Sequence, residues 1–362
     1  MLIVAAFAVS ALVAELGLRA WYFIADVPIY RYSGQTSEAL ELGWLERTRR
    51  SGSPMMLSFD RYHPRLGWSL KPNLREHRFK DHPPVTSNAQ GWRAGYDFEK
   101  TKRENTIRIA AIGDSFTFGE AVSDDETWPA ALGAQIQAAE VMNFGIHGYG
   151  TDQQLLVLED YVLDYNPDVV VLGFFVEDIT RNGVSFRDYA KPMFVLDNGE
   201  LVLTNTPIPT PEELLARDPA LPPTSYLKHF VEQRLRDRMF GVRMRDVVYE
   251  EGLYELTRSI LVRMREATAA IGAEFMVVVI PSPNDKWTEL EVRLDRWAPQ
   301  IGYAVVHLRD TLHAARREAG SPKPGTFHFD PAENWAVAER IADGIREHGW
   351  LPSPVPGVAS PR

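Results

Sequence analysis

The pattern of apolar and polar positions divides the chain into three stretches. Apolar residues dominate from Met1 to Ala14 and continue, through Glu15 and Arg19, to Trp21-Tyr22-Phe23-Ile24. Residues 26–100 have few periodic segments and many turn formers, and read as an irregular lead-in packed against the main domain. From Ile107 a regular alternation begins. Apolar runs predict strands at Ile107–Ile112, Val141–Phe144, Val169–Phe174, Phe275–Ile280 and Ala304–Leu308. Helical spacing predicts helices near Thr127–Ala139, Asp152–Asp164, Leu253–Ile271, Lys286–Gln300, Asp310–Ala319 and Pro331–Glu347. Strands and helices alternating at these lengths imply a parallel sheet with helices on both faces.

An insertion of about residues 182–250 breaks this rhythm. Phe194 to Leu203 carries Asp197-Asn198-Gly199 between apolar segments, the signal of a hairpin with a type I′ turn. Pro207, Pro209, Pro211, Pro219, Pro222 and Pro223 mark an extended loop. A basic amphipathic segment, Tyr226 to Arg245, then carries Arg234, Arg236, Arg238, Arg243 and Arg245. It reads as a solvated helix over the core, as a lid, or as a face for anionic headgroups or an acidic polysaccharide.

The N-terminal run from Met1 to Ala14 is too short to span a bilayer, which needs about 20 residues. Extended to Ile24 it is long enough, and Glu15 and Arg19 stand i,i+4 on a helix, where each offsets the other's charge. The aromatic cluster at residues 21–23 suits a membrane interface. Residues 1–25 are therefore expected to be a membrane anchor or signal segment, with a main domain over 101–350 and a Pro-rich tail at 351–362.

Composition narrows the chemistry. A chain of 362 residues can bury a large core, and a net charge of −10 without a long basic run argues against nucleic acid as a partner. With no cysteine, disulfides, thiolate metal sites and cysteine nucleophiles are excluded. No phosphate loop or dinucleotide fingerprint follows a strand, and His77, Asp81 and His82 lack metal-ligand spacing, so no cofactor or metal is expected.

The first strand breaks abruptly into Gly113-Asp114-Ser115. Ligands collect beyond the carboxyl ends of strands in such sheets, so Ser115 stands where a nucleophile is useful. The other reading is a simple helix cap, since Asp and Ser are preferred there.

Further segments complete a pattern. Asn143-Phe144-Gly145-Ile146-His147-Gly148, Val169 to Asn182, and Thr326-Phe327-His328-Phe329-Asp330-Pro331-Ala332 follow in order. Together with Gly113-Asp114-Ser115 they resemble the sequence blocks of the SGNH (GDSL) hydrolase family. Segments 67–73 and 87–93 resemble the preamble of its membrane-anchored bacterial members. The resemblance implies a flavodoxin-like three-layer α/β/α sandwich. It also implies Ser115 as nucleophile, His328 as base, and the N–H groups of Ser115 and Gly148 as oxyanion donors. Asp114 reads as a turn and cap residue.

Two positions depart from the family pattern. Glu177 stands where block three carries an oxyanion-binding Asn, and a carboxylate facing a developing oxyanion opposes catalysis. Thr326 and Gly325 stand where the last block places an Asp to orient the histidine. Asp178, Glu177 and Asp330 are the candidates to replace that acid, a Ser-His dyad is the alternative, and Asn182 is a candidate amide donor. His147 reads as a polar rim residue.

The family likeness implies a serine esterase acting on acyl esters, with an O-acetyl group on a glycan outside the cytoplasm as the finer expectation. Two alternatives stand beside it: an O-acetyltransferase of the same fold, and a degenerate glycan-binding or assembly module.

Overall fold

The computed structural model describes residues 2–24, 36–54, 57–79, 82–217, 225–243, 251–282, 288–320 and 327–351. Asp81, Pro219, Pro222, Pro223, Arg245, Gly325, Thr326 and nearly all of the Pro-rich tail lie outside the described residues, as do the side chains of Arg236, Arg238 and Arg243.

The elements run α1 (Leu2–Ile24), α2 (Ser37–Ser51), β1 (Asp60–His63), β2 (Gly67–Leu70), β3 (Ile107–Gly113), α3 (Ser115–Phe118), α4 (Trp128–Gln135) and β4 (Ala139–Asn143). They continue with α5 (Thr151–Asp160), β5 (Val169–Phe175), α6 (Asp178–Asn182), β6 (Met193–Asp197), β7 (Glu200–Thr204), α7 (Pro211–Ala216) and α8 (Tyr226–Arg243). The last are α9 (Glu251–Ala270), β8 (Glu274–Ile280), α10 (Glu289–Ile301), β9 (Ala304–His307), α11 (Arg309–Glu318) and α12 (Pro331–Glu347).

Five parallel strands form the central sheet in the order β4-β3-β5-β8-β9. This is the flavodoxin-like order, with the first strand beside both the second and the third. β3 and β5 are buried along their whole length, as strands covered on both faces must be. One face packs α4, α11 and α12 through Leu132, Leu312, Val337 and Ile341. The other packs α5, α9 and α10 through Leu156, Ile260, Leu290 and Leu294.

Several boundaries differ from expectation for local reasons. α4 ends at Gln135, and Ala138 takes a left-handed turn (φ 60°) that starts β4 earlier than the apolar run shows. α5 stops at Asp160, and a short 3₁₀ turn ending at the left-handed Asn166 (φ 50°) leads to Pro167. The insertion carries the expected hairpin: Asp197 pairs with Glu200 around Asn198 and Gly199, whose φ of 51° and 86° are those of a type I′ turn. Phe194 is buried, and the hairpin rests on α5 and α9.

The lead-in is more ordered than its composition predicts. It contains α2 and the antiparallel hairpin β1–β2, whose four-residue strands are too short to show alternation. Trp44, Phe59, Trp68, Trp92 and Phe98 are buried in the same core as α5 and β5. The lead-in also reaches toward the strand ends. Trp68 Nε1 donates to the His147 carbonyl at 3.0 Å. Buried Arg93 donates to the carbonyls of Phe118 (2.9 Å), Gly119 (2.6 Å) and Val122 (2.7 Å), and to Asp124 Oδ1 (2.8 Å).

Among the described residues, α1 is the one helix long and apolar enough to cross a membrane; most of it is exposed, while Tyr22 near its end is buried against Tyr226 of α8. Glu15 of α1 accepts from the backbone N–H groups of Tyr226 (3.0 Å) and Leu227 (2.8 Å), tying α1 to the start of α8.

Arg93→Met removes the guanidinium donors to Phe118, Gly119, Val122 and Asp124. It should lower the unfolding free energy by about 3 kcal/mol, since a buried charged hydrogen-bond group leaves its partners unsatisfied. Denaturant unfolding of the detergent-solubilised chain measures this.

Candidate active site

The site forms where β3 and β5 end, next to the point where the strand order reverses. β3 closes at Gly113, and Asp114 caps α3 by accepting from Phe116 N–H at 3.0 Å. This turn lifts Ser115 to the first position of the helix, with its side chain almost buried. Thr117 explains the glycines around it: a Cβ on Gly113 or Gly173 would collide with its hydroxyl. Gly145 is needed for a similar reason, because the block-two loop passes against the backbone of Thr117 and Phe118. Asn143 locks that approach, donating to Thr117 O at 3.1 Å and accepting from Gly145 N–H at 2.9 Å.

His328 arrives from the opposite end of the sequence. Asp330 caps α12, accepting from Glu333 N–H at 2.8 Å. Asn334 accepts from Trp128 N–H at 2.9 Å and donates to Phe329 O at 3.1 Å, which docks α12 on α4. The His328 ring lies 5.0 Å from both Phe116 and Phe327, centroid to centroid. Its Nε2 is 2.8 Å from Ser115 Oγ. Burial lowers its pKa below the ordinary histidine value, with Arg181 and His82 adding to the fall and Glu120 and Asp114 opposing it.

Glu120 was not among the sequence candidates. Its Oε2 lies 3.7 Å from His328 Nε2, on the serine side of the ring. The signal for it was local: α3 is four residues long, and the turn after it returns Glu120 N–H to within 3.1 Å of Ser115 O.

The other candidates stand elsewhere. Asp178 is buried and paired with Arg181 at 2.5 Å, and it accepts from Gln154 Nε2 at 3.1 Å; it is not brought to His328. Asp330 is engaged as a helix cap. Asn182 faces α5 and α9, accepting from Asp152 N–H (3.1 Å) and donating to Thr257 Oγ1 (3.1 Å), so it is not the missing amide donor. Glu177 accepts from Ser282 Oγ, past the end of β8, at 2.7 Å. Gly148 takes a left-handed φ of 77° beside Arg187 and Asp188. His147 is not a rim residue: it is buried, with Nε2 2.6 Å from Asp60 Oδ1. Gly325 and Thr326 lie outside the described residues. Among the described residues no group of three or more His, Cys, Asp or Glu could hold a metal ion.

Arg181 lies under this arrangement. One nitrogen, Nη1, reaches Asp114 Oδ2 (3.1 Å), Tyr149 O (2.8 Å) and Asp178 Oδ1 (2.5 Å). Burial disfavours its charge, but Asp178 and Asp114 outweigh that and raise its pKa. Burial drives Asp178 well above the ordinary carboxylate range, with Arg181 pulling it back and Asp114 pushing it further.

Residues 111–315, more than half of the chain, match the model of the GDSL-like Lipase/Acylhydrolase family; His328 lies beyond the matched span. No curated protein matches the chain. Among solved structures, it is similar to a lipolytic protein of the G-D-S-L family from Veillonella parvula, at 13% identity and TM-score 0.39, covering 66% of this chain and 97% of that one. It is also similar to a GDSL-like lipase from Bacteroides thetaiotaomicron, at 11% identity and TM-score 0.39, covering 69% and 92%. An acetyl xylan esterase is similar at 13% identity and TM-score 0.39, covering 66% and 100%.

Arg181→Met leaves Asp114 and Asp178 buried without their cation. The expected cost is about 3–5 kcal/mol of unfolding free energy. Adding Asp178→Asn should recover part of that loss, because one of the two stranded carboxylates is gone; denaturant titration of both variants checks this.

Proposed function

The chain belongs to the GDSL-like lipase/acylhydrolase family, and we propose that it is a serine-dependent ester hydrolase with Ser115 as nucleophile and His328 as base. The observation that carries this reading is the 2.8 Å approach of His328 Nε2 to Ser115 Oγ, between residues more than two hundred positions apart. That distance suits proton transfer from the hydroxyl.

In this scheme Ser115 Oγ attacks the acyl carbonyl carbon while His328 Nε2 takes the hydroxyl proton. The carbonyl π electrons move to oxygen, which the N–H groups of Ser115 and Gly148 bind. The tetrahedral species collapses, the bond to the leaving alkoxide breaks, and His328 protonates that oxygen. Water repeats the sequence on the acyl-serine and releases the acid. A sugar hydroxyl in place of that water would make the protein an acyltransferase.

Partial burial of His328 favours its neutral form, which suits a base. The imidazolium formed during reaction then needs a counter-charge. Glu120 at 3.7 Å supplies one electrostatically, from the serine side of the ring.

Finer features rest on less. An O-acetyl group on a glycan outside the cytoplasm is favoured by the likeness of segments 67–73 and 87–93 to membrane-anchored relatives. The exposed apolar helix α1 supports attachment to a membrane. The rival, a binding module without turnover, is favoured by Glu177 standing where an amide donor is expected.

Hydrolysis of para-nitrophenyl acetate by the detergent-solubilised chain separates the two. Ser115→Ala and His328→Ala should each lower kcat by about a thousandfold or more with folding intact. Wild-type turnover equal to that of Ser115→Ala favours the binding module.

The pH profile carries a second test. Since the reactive form of His328 is neutral, kcat/KM should rise with pH through a pKa below 6.5 and stay flat at neutrality. Glu120→Gln removes a carboxylate that raises this pKa, so the rise should move to still lower pH. It should also slow turnover by about tenfold, or ~1.4 kcal/mol.

A further inference from the structure

An oxyanion hole needs donors aimed at the oxygen where charge develops. In this chain the residue expected to add a side-chain amide is Glu177, and its carboxylate is held by Ser282. An ion pair, Arg187 with Asp188, stands beside Gly148. Arg187 Nη1 would lie 2.9 Å from a Cβ placed on Gly148, so its guanidinium lies against the glycine assigned to the hole. Only glycine leaves room there, since Asp188 Oδ2 and the Trp68 ring also close on that position.

The loop carrying Arg187 is built to hold it. Phe186 and Ala190 form an antiparallel bridge, and Arg187 N–H donates to Tyr189 O at 3.0 Å across the turn. Phe186 and Tyr189 are buried, and the Tyr189 hydroxyl donates to Pro209 O at 2.6 Å. Lys191, fully buried and paired with Asp152, donates to Arg181 O (3.1 Å) and Val184 O (3.2 Å), fastening the loop to the start of α5. The Arg187 head forms an ion pair with Asp188.

We propose that Arg187 binds the developing oxyanion beside Gly148, replacing the amide that the block-three position lacks. The inference rests on the esterase reading above. Arg187 Nη1 is shared with Asp188, so the proposed oxyanion contact is made beside that ion pair. The electrostatics of Arg187 fit the role. Burial pushes its pKa down to about 9, and Arg181 adds like-charge repulsion, while Asp178, Asp114 and Glu120 oppose the fall. It is thus a cation at neutral pH in poor solvation, and an anion appearing 3 Å or so away relieves that cost. When Ser115 Oγ bonds to the carbonyl carbon, the negative oxygen forms against Arg187, and it reverts to a carbonyl when the leaving alkoxide departs. The guanidinium transfers no proton.

The test uses the full chain in detergent. Turnover of para-nitrophenyl acetate is measured beside the rate at which a fluorophosphonate labels Ser115, since the phosphonyl oxygen fills the same hole. Arg187→Met should lower kcat roughly a hundredfold to a thousandfold, the cost of losing one oxyanion donor. KM should change by less than about threefold, and the labelling rate should fall in parallel. Arg187→Lys should be intermediate, keeping the charge but not the planar fork.

The double variant Arg187→Met/Asp188→Asn distinguishes this role from a structural one. If Arg187 only neutralised Asp188, removing both charges would restore activity; the proposal requires the double variant to stay slow. It is overturned by restoration in the double variant, or by an Arg187→Met enzyme within about threefold of wild type. Loss of turnover in Ser115→Ala beside such an active Arg187→Met enzyme leaves the serine mechanism standing and removes only Arg187. Turnover that survives Ser115→Ala removes both.

Discussion

The constraint on which the site depends is the burial of Arg181. A single guanidinium nitrogen touches the turn that presents Ser115 through Asp114, the block-two turn through Tyr149 O, and the block-three helix through Asp178. A buried charge is tolerated only when it is paired and hydrogen-bonded, so these three segments cannot separate without stranding an ion. The strand ends bring the segments near one another; Arg181 sets their spacing. Removing the arginine therefore perturbs the nucleophile turn and the oxyanion turn together.

The lead-in extends the same logic outward. Arg93 gathers three carbonyls at and just beyond the end of α3, where the chain leaves helical geometry and carbonyls lose their helical partners. Trp68 holds the carbonyl of His147, one residue before Gly148. Segments resembling a preamble in sequence thus act as a brace across both turns of the site. Their aromatic residues share the core that covers one face of the sheet, so brace and sheet form one packed body.

How much of this was legible in the sequence follows from which interactions are local. Buried parallel strands such as Ile107–Gly113 and Val169–Phe175 announce themselves by continuous apolar runs, and Asn198-Gly199 announces its turn by the left-handed conformations those residues tolerate. The block pattern singled out Ser115 and His328, whose side chains the structure brings to 2.8 Å. The i,i+3 spacing of Asp178 and Arg181 on one helix made their pairing readable, but charge pairing across the fold was not: nothing in the spacing says that Arg181 meets Asp114, that His147 meets Asp60, or that Asn182 turns toward Thr257. Glu120 was within reach of a local argument, since a four-residue helix ended by a left-handed Gly119 (φ 85°) folds the next residue back on the first. α2 and the β1–β2 hairpin escaped because short elements with mixed polarity carry no period.

The two departures from the family pattern act on different charges of the same reaction. In the proposed esterase reaction, the missing amide at position 177 weakens support for the oxyanion, and the missing acid at 325–326 weakens support for the imidazolium. Those charges form together and vanish together, so compensation must supply a cation near one and an anion near the other. In the proposed reaction Glu120, 3.7 Å from His328, carries the sign required on one side, and Arg187, paired with Asp188 beside Gly148, carries it on the other. A mere binding module has no need of a carboxylate beside His328 or of a guanidinium beside Gly148. Their arrangement around Ser115 favours turnover, with the stabilisation shifted from the two altered positions onto groups that the folded loops bring in.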